Sequence, residues 1–429
     1  MKKRLSLIVL SLILSMATKA QNLIIHAKAY VDVRAGKLVA PANIVVEDGL
    51  IKAINPKTLP EGAEQINLPD KILMPGMMDM HVHLDMDFIQ GYKDLLLSEN
   101  AGKATLRGVK NAKKTLMAGF TTVRNVGITH YTLDLIDVAL SEASDKGWIA
   151  APRIIPCGHM IGITGGHADP TMQLGLSEGK LEPDLRYGIV DGTDEAVKAV
   201  RYQIKHGAKE IKIMATAGVL SLEGSVGAQQ LSDEEMKAIV QEANRHGIQV
   251  CTHAHGTQGI IAAIKAGVHS IEHGSILNDG AIALMKEKNV FLVPTTGLVD
   301  IIMNETDKMA PEMKEKAEYV LPIAKQSVTK AINAGVNIAL GTDAPLIPHG
   351  QNAYELQAMT DRGMTATEVL KSATINPATL MSLKDRGEIK EGLLADIIAV
   401  DENPLDNIKT LQQVKFVMKG GVVYKNELD

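Results

Sequence analysis

Aromatic residues are scarce in this chain. Four Phe, eight Tyr and one Trp make up 3% of 429 residues, which disfavours a binding pocket built from stacked rings. Cysteine is rarer still. Cys157 and Cys251 each sit in an apolar, strand-like run, so both read as small buried residues and no disulfide framework is available. Charge of one sign is also missing. Lys and Arg number 45 against 50 Asp and Glu, a formal net charge of -5, which excludes the basic face that nucleic acid or an anionic membrane requires. There is no low-complexity tract or heptad register, and no run long enough to span a bilayer. The longest apolar stretch, Leu5 to Leu14, follows a basic start and precedes small residues ending at Ala20. That order reads as a signal peptide over residues 1–20, in preference to an N-terminal anchor or a buried segment. The mature chain is then expected to start near Gln21, to be periplasmic or secreted, and to keep no stable membrane insertion.

What is present is a change of pattern along the chain. Residues 21–70 and 390–429 are rich in short strand signals with turns such as Glu47-Asp48-Gly49 and Gly420-Gly421. The two ends are expected to form one small composite β-sandwich domain. Residues 71–389 alternate apolar strands with helices. Eight strands can be drawn, at 76–84, 121–127, 153–161, 210–216, 248–256, 269–274, 290–296 and 336–345. Among the helices, "LSDEEMKAIVQEANRHG" opens on a Ser232/Glu235 capping box and closes at Gly247. Near-continuous apolar strands separated by helices imply a parallel sheet covered on both faces. Eight such units imply an α/β fold of the (β/α)8 TIM-barrel type, with a doubly wound open sheet as the alternative.

In such a barrel, function gathers at the C-terminal ends of the strands. His81 and His83 alternate on one strand and face the same side. Alone, the pair fits a surface or hydrogen-bonded role as well as a metal site. His253 in "VCTHAHG" and His273 in "SIEHG" each close an apolar strand, and His255 precedes the turn at Gly256, on the substrate side. Asp343 ends the last strand in "ALGTDAP" and needs a cation or backbone donors around it. Lys212 stands inside "EIKIMATAG", where a charge is costly unless paired, for example with Glu272 or Asp79. Together these are nitrogen and oxygen ligand types on one rim. They suit zinc, manganese, cobalt or iron. Six candidates exceed what one open tetrahedral site uses, so two divalent ions, zinc first among them, are the economical reading.

The ordered set "HVHLD", "EIKIMATAG", "THAHG", "SIEHG" and "GTDAP" resembles the amidohydrolase superfamily. The likeness extends to "PGMMDMH" and to "GEIKEGLLADIIAVDENPL", and so covers nearly all of the mature chain. It looks most like the imidazolonepropionase-like, prolidase-like branch, whose members include Xaa-Pro and Xaa-Arg/Lys dipeptidases and an ochratoxin amidase. The resemblance implies that His81, His83 and Asp343 bind one metal, and His253 and His273 the other. It implies that Lys212, carboxylated by CO2, bridges them, and that a metal-bridged hydroxide attacks an amide carbonyl with Asp343 as proton carrier. His167 in "GITGGHADP", His255 and His349 in "PLIPHGQN" are the candidate substrate contacts. Two departures bear on neighbours of the metal set. Arg124-Asn125 stands where the pattern commonly has Arg-Asp, and Ala217-Gly218 where it usually has Gly-Gly.

The expected function is therefore an exported hydrolase of dipeptides or N-acyl amino acids, with a small-molecule or dipeptide substrate and no nucleic-acid partner. A homo-oligomer stays open. An imidazolonepropionase-type cyclic amidohydrolase is the rival enzyme, and Lys212 argues against it because that type works with one metal and no such lysine. A non-catalytic metal-binding protein on the same fold is the rival of another class.

Overall fold

The computed structural model describes residues 22–87, 94, 96, 98–174, 176, 181–219, 226–304, 306–308 and 311–427. The signal segment expected at residues 1–20 lies outside them. The chain is a mixed α/β protein with three sheets.

The first sheet joins the two chain ends. It contains β1 (Leu23–Asp32), β2 (Lys37–Val39), β3 (Ala42–Glu47), β4 (Leu50–Ile54) and β5 (Glu64–Pro75). The second and third sheets are parallel and hold β6 (Met77–Val82), β7 (Phe120–Asn125) and β8 (Arg153–Pro156), then β9 (Glu210–Met214), β10 (Gln249–Ala254), β11 (Ser270–His273) and β12 (Phe291–Val293). The chain returns to the first sheet with β13 (Ile397–Val400), β14 (Phe416–Lys419) and β15 (Val422–Asn426). Its order is β15-β14-β13-β5-β1-β3-β4, with β2 on β1. Strand β1 runs parallel to β5, and β13 antiparallel to it, with Leu73 opposite Ala399. Ile25, Ile44, Leu73, Ile397 and Phe416 meet in a core of their own.

The parallel strands are buried along their length, as sheets covered by helices must be. The two parallel sheets are linked by isolated parallel bridges, Ile161 with Ile213, Leu292 with Ile338 and Val82 with Ala344. The strand expected at 336–345 is the exception to regular pairing. It is hydrogen-bonded on both sides, Ala339 N–H to Leu292 O (3.0 Å) and Met80 N–H to Leu340 O (2.8 Å), yet it forms no ladder. The backbone there is bent: Asp343 takes a φ of 57°. Gly341 also lets it press close, since a Cβ at that position would fall 2.3 Å from Val293 and 2.8 Å from His81.

The helices follow their periodicity. Ser232 and Glu235 form both halves of the capping box, and Met236, Ile239, Val240 and Ala243 face inward from the Asp233–Arg245 helix. Gly247 follows in the left-handed region (φ 69°), which glycine enters without Cβ strain. Cys157 and Cys251 are buried, unpaired, and packed with Val126. Among the described residues no helix is long and apolar enough to cross a membrane.

Candidate metal centre

Strand alternation places His81 at the end of β6 with His83 just beyond it. From β10 come His253 and His255, and from β11 His273. Asp343 joins them from the irregular eighth segment, its N–H bonded to His81 O at 2.8 Å. His273 and Asp343 both hold a positive φ, 68° and 57°. For residues with side chains that is a strained backbone, a feature that concentrates at functional sites.

The rings converge. The His81 and His273 centroids are 5.0 Å apart, His253 and His273 4.7 Å, and His255 and His273 5.0 Å. Two sets bring one donor atom each within 4.8 Å of the others: His253, His255 and His273, and His81, His273 and Asp343. The His83 Nε2 lies 3.5 Å from Asp343 Oδ1, and the His81 Nε2 3.4 Å. His255, expected on the substrate side, therefore sits among the candidate ligands.

Four of the rings are held through Nδ1. His83 Nδ1 faces Gly127 O at 2.9 Å. A carbonyl only accepts, so Nδ1 carries a proton and Nε2 is the nitrogen turned toward Asp343. His81 Nδ1 meets Glu272 Oε2 (2.8 Å), His273 Nδ1 meets Thr295 Oγ1 (2.8 Å) and His255 Nδ1 meets Ser275 Oγ (2.7 Å). Anchoring of one imidazole nitrogen so that the other points inward is the usual support of a metal-binding histidine. The His253 Nε2 is buried with no hydrogen-bond partner among the described residues. Such an orphaned nitrogen is costly unless something accepts its lone pair. Burial, and then the rings of His167, His255 and His273, push the His253 pKa well below its ordinary value, which keeps it neutral. Burial alone would raise the Asp343 carboxyl, but His81, His83 and His273 outweigh it and hold Asp343 well below the usual carboxylate range. Imidazole nitrogens facing a carboxylate are the donor set a divalent ion takes, and binding it releases any proton they carry. The residues fit the metal.

Lys212 lines the same cavity and is 1% exposed. Among the described residues, no carboxylate lies within ion-pair distance of it. The two partners the sequence offers are occupied elsewhere. Glu272 accepts from Arg124 (2.7 Å) and Ser270 (2.6 Å), and Asp79 accepts from Thr342 (2.6 Å) and Asn352 (2.8 Å). A buried lysine beside a cluster of metal-type donors, near enough to Glu272 to help lower its carboxyl but with no carboxylate in ion-pair distance among the described residues, is the decisive feature of the site.

The comparisons agree with that geometry. Residues 72–424 match the model of the Amidohydrolase family. The chain belongs to the amidohydrolase family. Ochratoxinase of Aspergillus niger is 36% identical over 373 residues, spanning 82% of this chain and 76% of the relative. A crystal structure of a Xaa-Pro dipeptidase with methionine bound in its active site superposes with a TM-score of 0.89 at 35% identity, covering 94% of this chain and all of that one. A prolidase complexed with N-methylphosphonate-L-proline gives 0.84 at 29% identity, over 94% and 100%.

In this amidohydrolase, His167 and His255 line the cavity and His349 does not. The His167 ring lies 4.4 Å from His253. It fits only because residue 218 is glycine, since a Cβ there would fall 2.3 Å from the ring. His349 is buried with its Nε2 on Met86 O (3.2 Å), just past β6, and burial pushes its pKa down to about 4. The sequence reading missed the layer beneath the ligands. Arg124, wholly buried, donates from Nε to Met80 O (2.6 Å), from Nη1 to Glu210 Oε1 (2.8 Å) and from Nη2 to Glu272 Oε1. Burial would raise the Glu272 carboxyl, but Arg124 and His81 hold it down to about 2. The signal was available: three charged residues stand inside otherwise apolar strands.

Proposed function

We propose that this amidohydrolase cleaves an amide or peptide bond of dipeptides or N-acyl amino acids at a pair of divalent metal ions, zinc first among them. The buried Lys212, with no carboxylate in ion-pair distance among the described residues, carries the reading. As a carbamate it would offer an anion with two oxygens, one toward each ion. His81, His83 and Asp343 would hold one ion, and His253 and His273 the other, with His255 in reach of the second. Bound divalent ions lower the pKa of water and polarise a carbonyl. Asp343 would take the proton from the attacking water and return it to the leaving nitrogen. Glu272 and Gly127 O hold Nδ1 of His81 and His83, so Nε2 of each would be the nitrogen that ligates.

The same reading includes a closed (β/α)8 barrel over residues 71–389. The bridges at Ile161, Ile338 and Ala344 support it. A β-sandwich from residues 21–70 and 390–429, and export to the periplasm or medium, also belong to it. Cell fractionation with N-terminal sequencing checks the export. The function is tested by a hydrolysis screen of dipeptides and N-acyl amino acids, run on chelated and on zinc-restored protein. Cleavage that appears with zinc supports the reading, and metal-independent cleavage overturns it.

A further inference from the structure

The metal cluster floors a cavity of about 210 Å³, several times the ~30 Å³ that one water occupies in the liquid. Its wall is apolar on two sides. Leu298, Val299 and Ile302 come from the Thr296–Met303 helix, and Val320 and Leu321 from the Pro311–Ala334 helix. These five belong to one packed cluster of their own, so the wall is built into a two-helix layer rather than carried on a loop. Met160 and Met214 also line the cavity. Methionine side chains adapt to varied apolar shapes.

Charge is confined to the floor among the described residues. Among the described residues, the only lysine, arginine, aspartate or glutamate side chains lining the cavity are Lys212 and Asp343. Both belong to the proposed metal set. Of the lining hydroxyls, Ser275 is engaged by His255, Thr295 by His273, and Thr129 by Asp85 at 3.0 Å. A cationic or anionic substrate side chain entering here would lose its water and gain no counter-charge, which costs far more than burying an apolar group. An aliphatic, thioether or aromatic group would gain the ordinary hydrophobic transfer energy.

We infer that the substrate carries a large uncharged apolar side chain next to the scissile amide, seated against the Leu298–Leu321 wall, and that basic and acidic side chains are rejected. The inference deepens the proposed amide hydrolysis and rests on it. It separates this chain from a peptidase for basic residues.

The test uses zinc-loaded full-length mature protein and two dipeptide series, Leu-X and X-Leu, with X as Met, Phe, Lys or Glu. In at least one series, kcat/KM for Met and Phe exceeds that for Lys and Glu by about a hundredfold or more, the discrimination a hydrophobic pocket reaches. Calorimetric titration gives a readout apart from turnover: N-acetylmethionine binds at least tenfold tighter than N-acetyllysine. The variant Ile302→Asp supplies a counter-charge and raises the Lys/Met ratio at least tenfold. Amide cleavage with Lys or Glu equal to Met overturns this inference and leaves the proposed function standing. Absence of all amide cleavage overturns the proposed function instead, and calorimetry then decides the inference: equal binding of the two acetylated amino acids overturns it.

Discussion

Arg124 holds two buried carboxylates at once, and one of them orients a metal-site histidine. Replacing it by methionine leaves Glu210 and Glu272 buried without their cation. Loss of one partner from a buried ionic network costs about 3–5 kcal/mol, so denaturant titration of Arg124→Met is expected to show a drop of that size. Glu272→Gln is milder. It keeps shape but weakens the hold on His81 Nδ1, and chelator competition is expected to show about 10–100-fold weaker metal binding. At this scale the candidate donors were legible as residues, because a histidine, lysine or aspartate at the end of an apolar strand is out of place. Their supports were not. Arg124 and its acceptors are 86 and 148 residues apart, and nothing local specifies which buried charges meet.

Helix limits were legible where the signal is local. The Ser232 capping box and the glycine after Arg245-His246 mark both ends of one helix within its own residues. The eighth strand was legible as a segment but not in form, because its bend depends on the close approach of Gly341 to β6 and β12. Between helices, Glu242 joins Arg201 of the Thr193–Lys205 helix (2.6 Å) and Arg245 of its own (2.7 Å). Those arginines, with His246, hold its carboxyl down to about 2 from an ordinary 4.5. The folded chain therefore binds fewer protons here than the unfolded chain between those values. The stabilisation is present above about pH 4.5 and is lost as pH falls toward 2. In acid titrations followed by circular dichroism, Glu242→Gln is expected to lack this part of the decline and to be the less stable protein near neutrality.

Across the whole molecule, strand-rich character at both ends was visible in composition and turns. The pairing was not, because β1 is parallel to β5 while β13 is antiparallel to it, a choice made by the packed core they share. Phe416, fully buried in that core, is far in sequence from every metal-site residue. Phe416→Ala is expected to cost about 3–5 kcal/mol in denaturant unfolding, with metal binding by the folded protein unchanged. The candidate metal centre draws on five separate strands or segments, so it exists only in the folded chain. Its central claim is that Lys212 lies between two ions. Metal analysis of the purified mature protein beside Lys212→Ala tests this most directly. The account predicts about two metal ions per wild-type chain and a clear loss in the variant; one ion per chain, unchanged by the substitution, would contradict it.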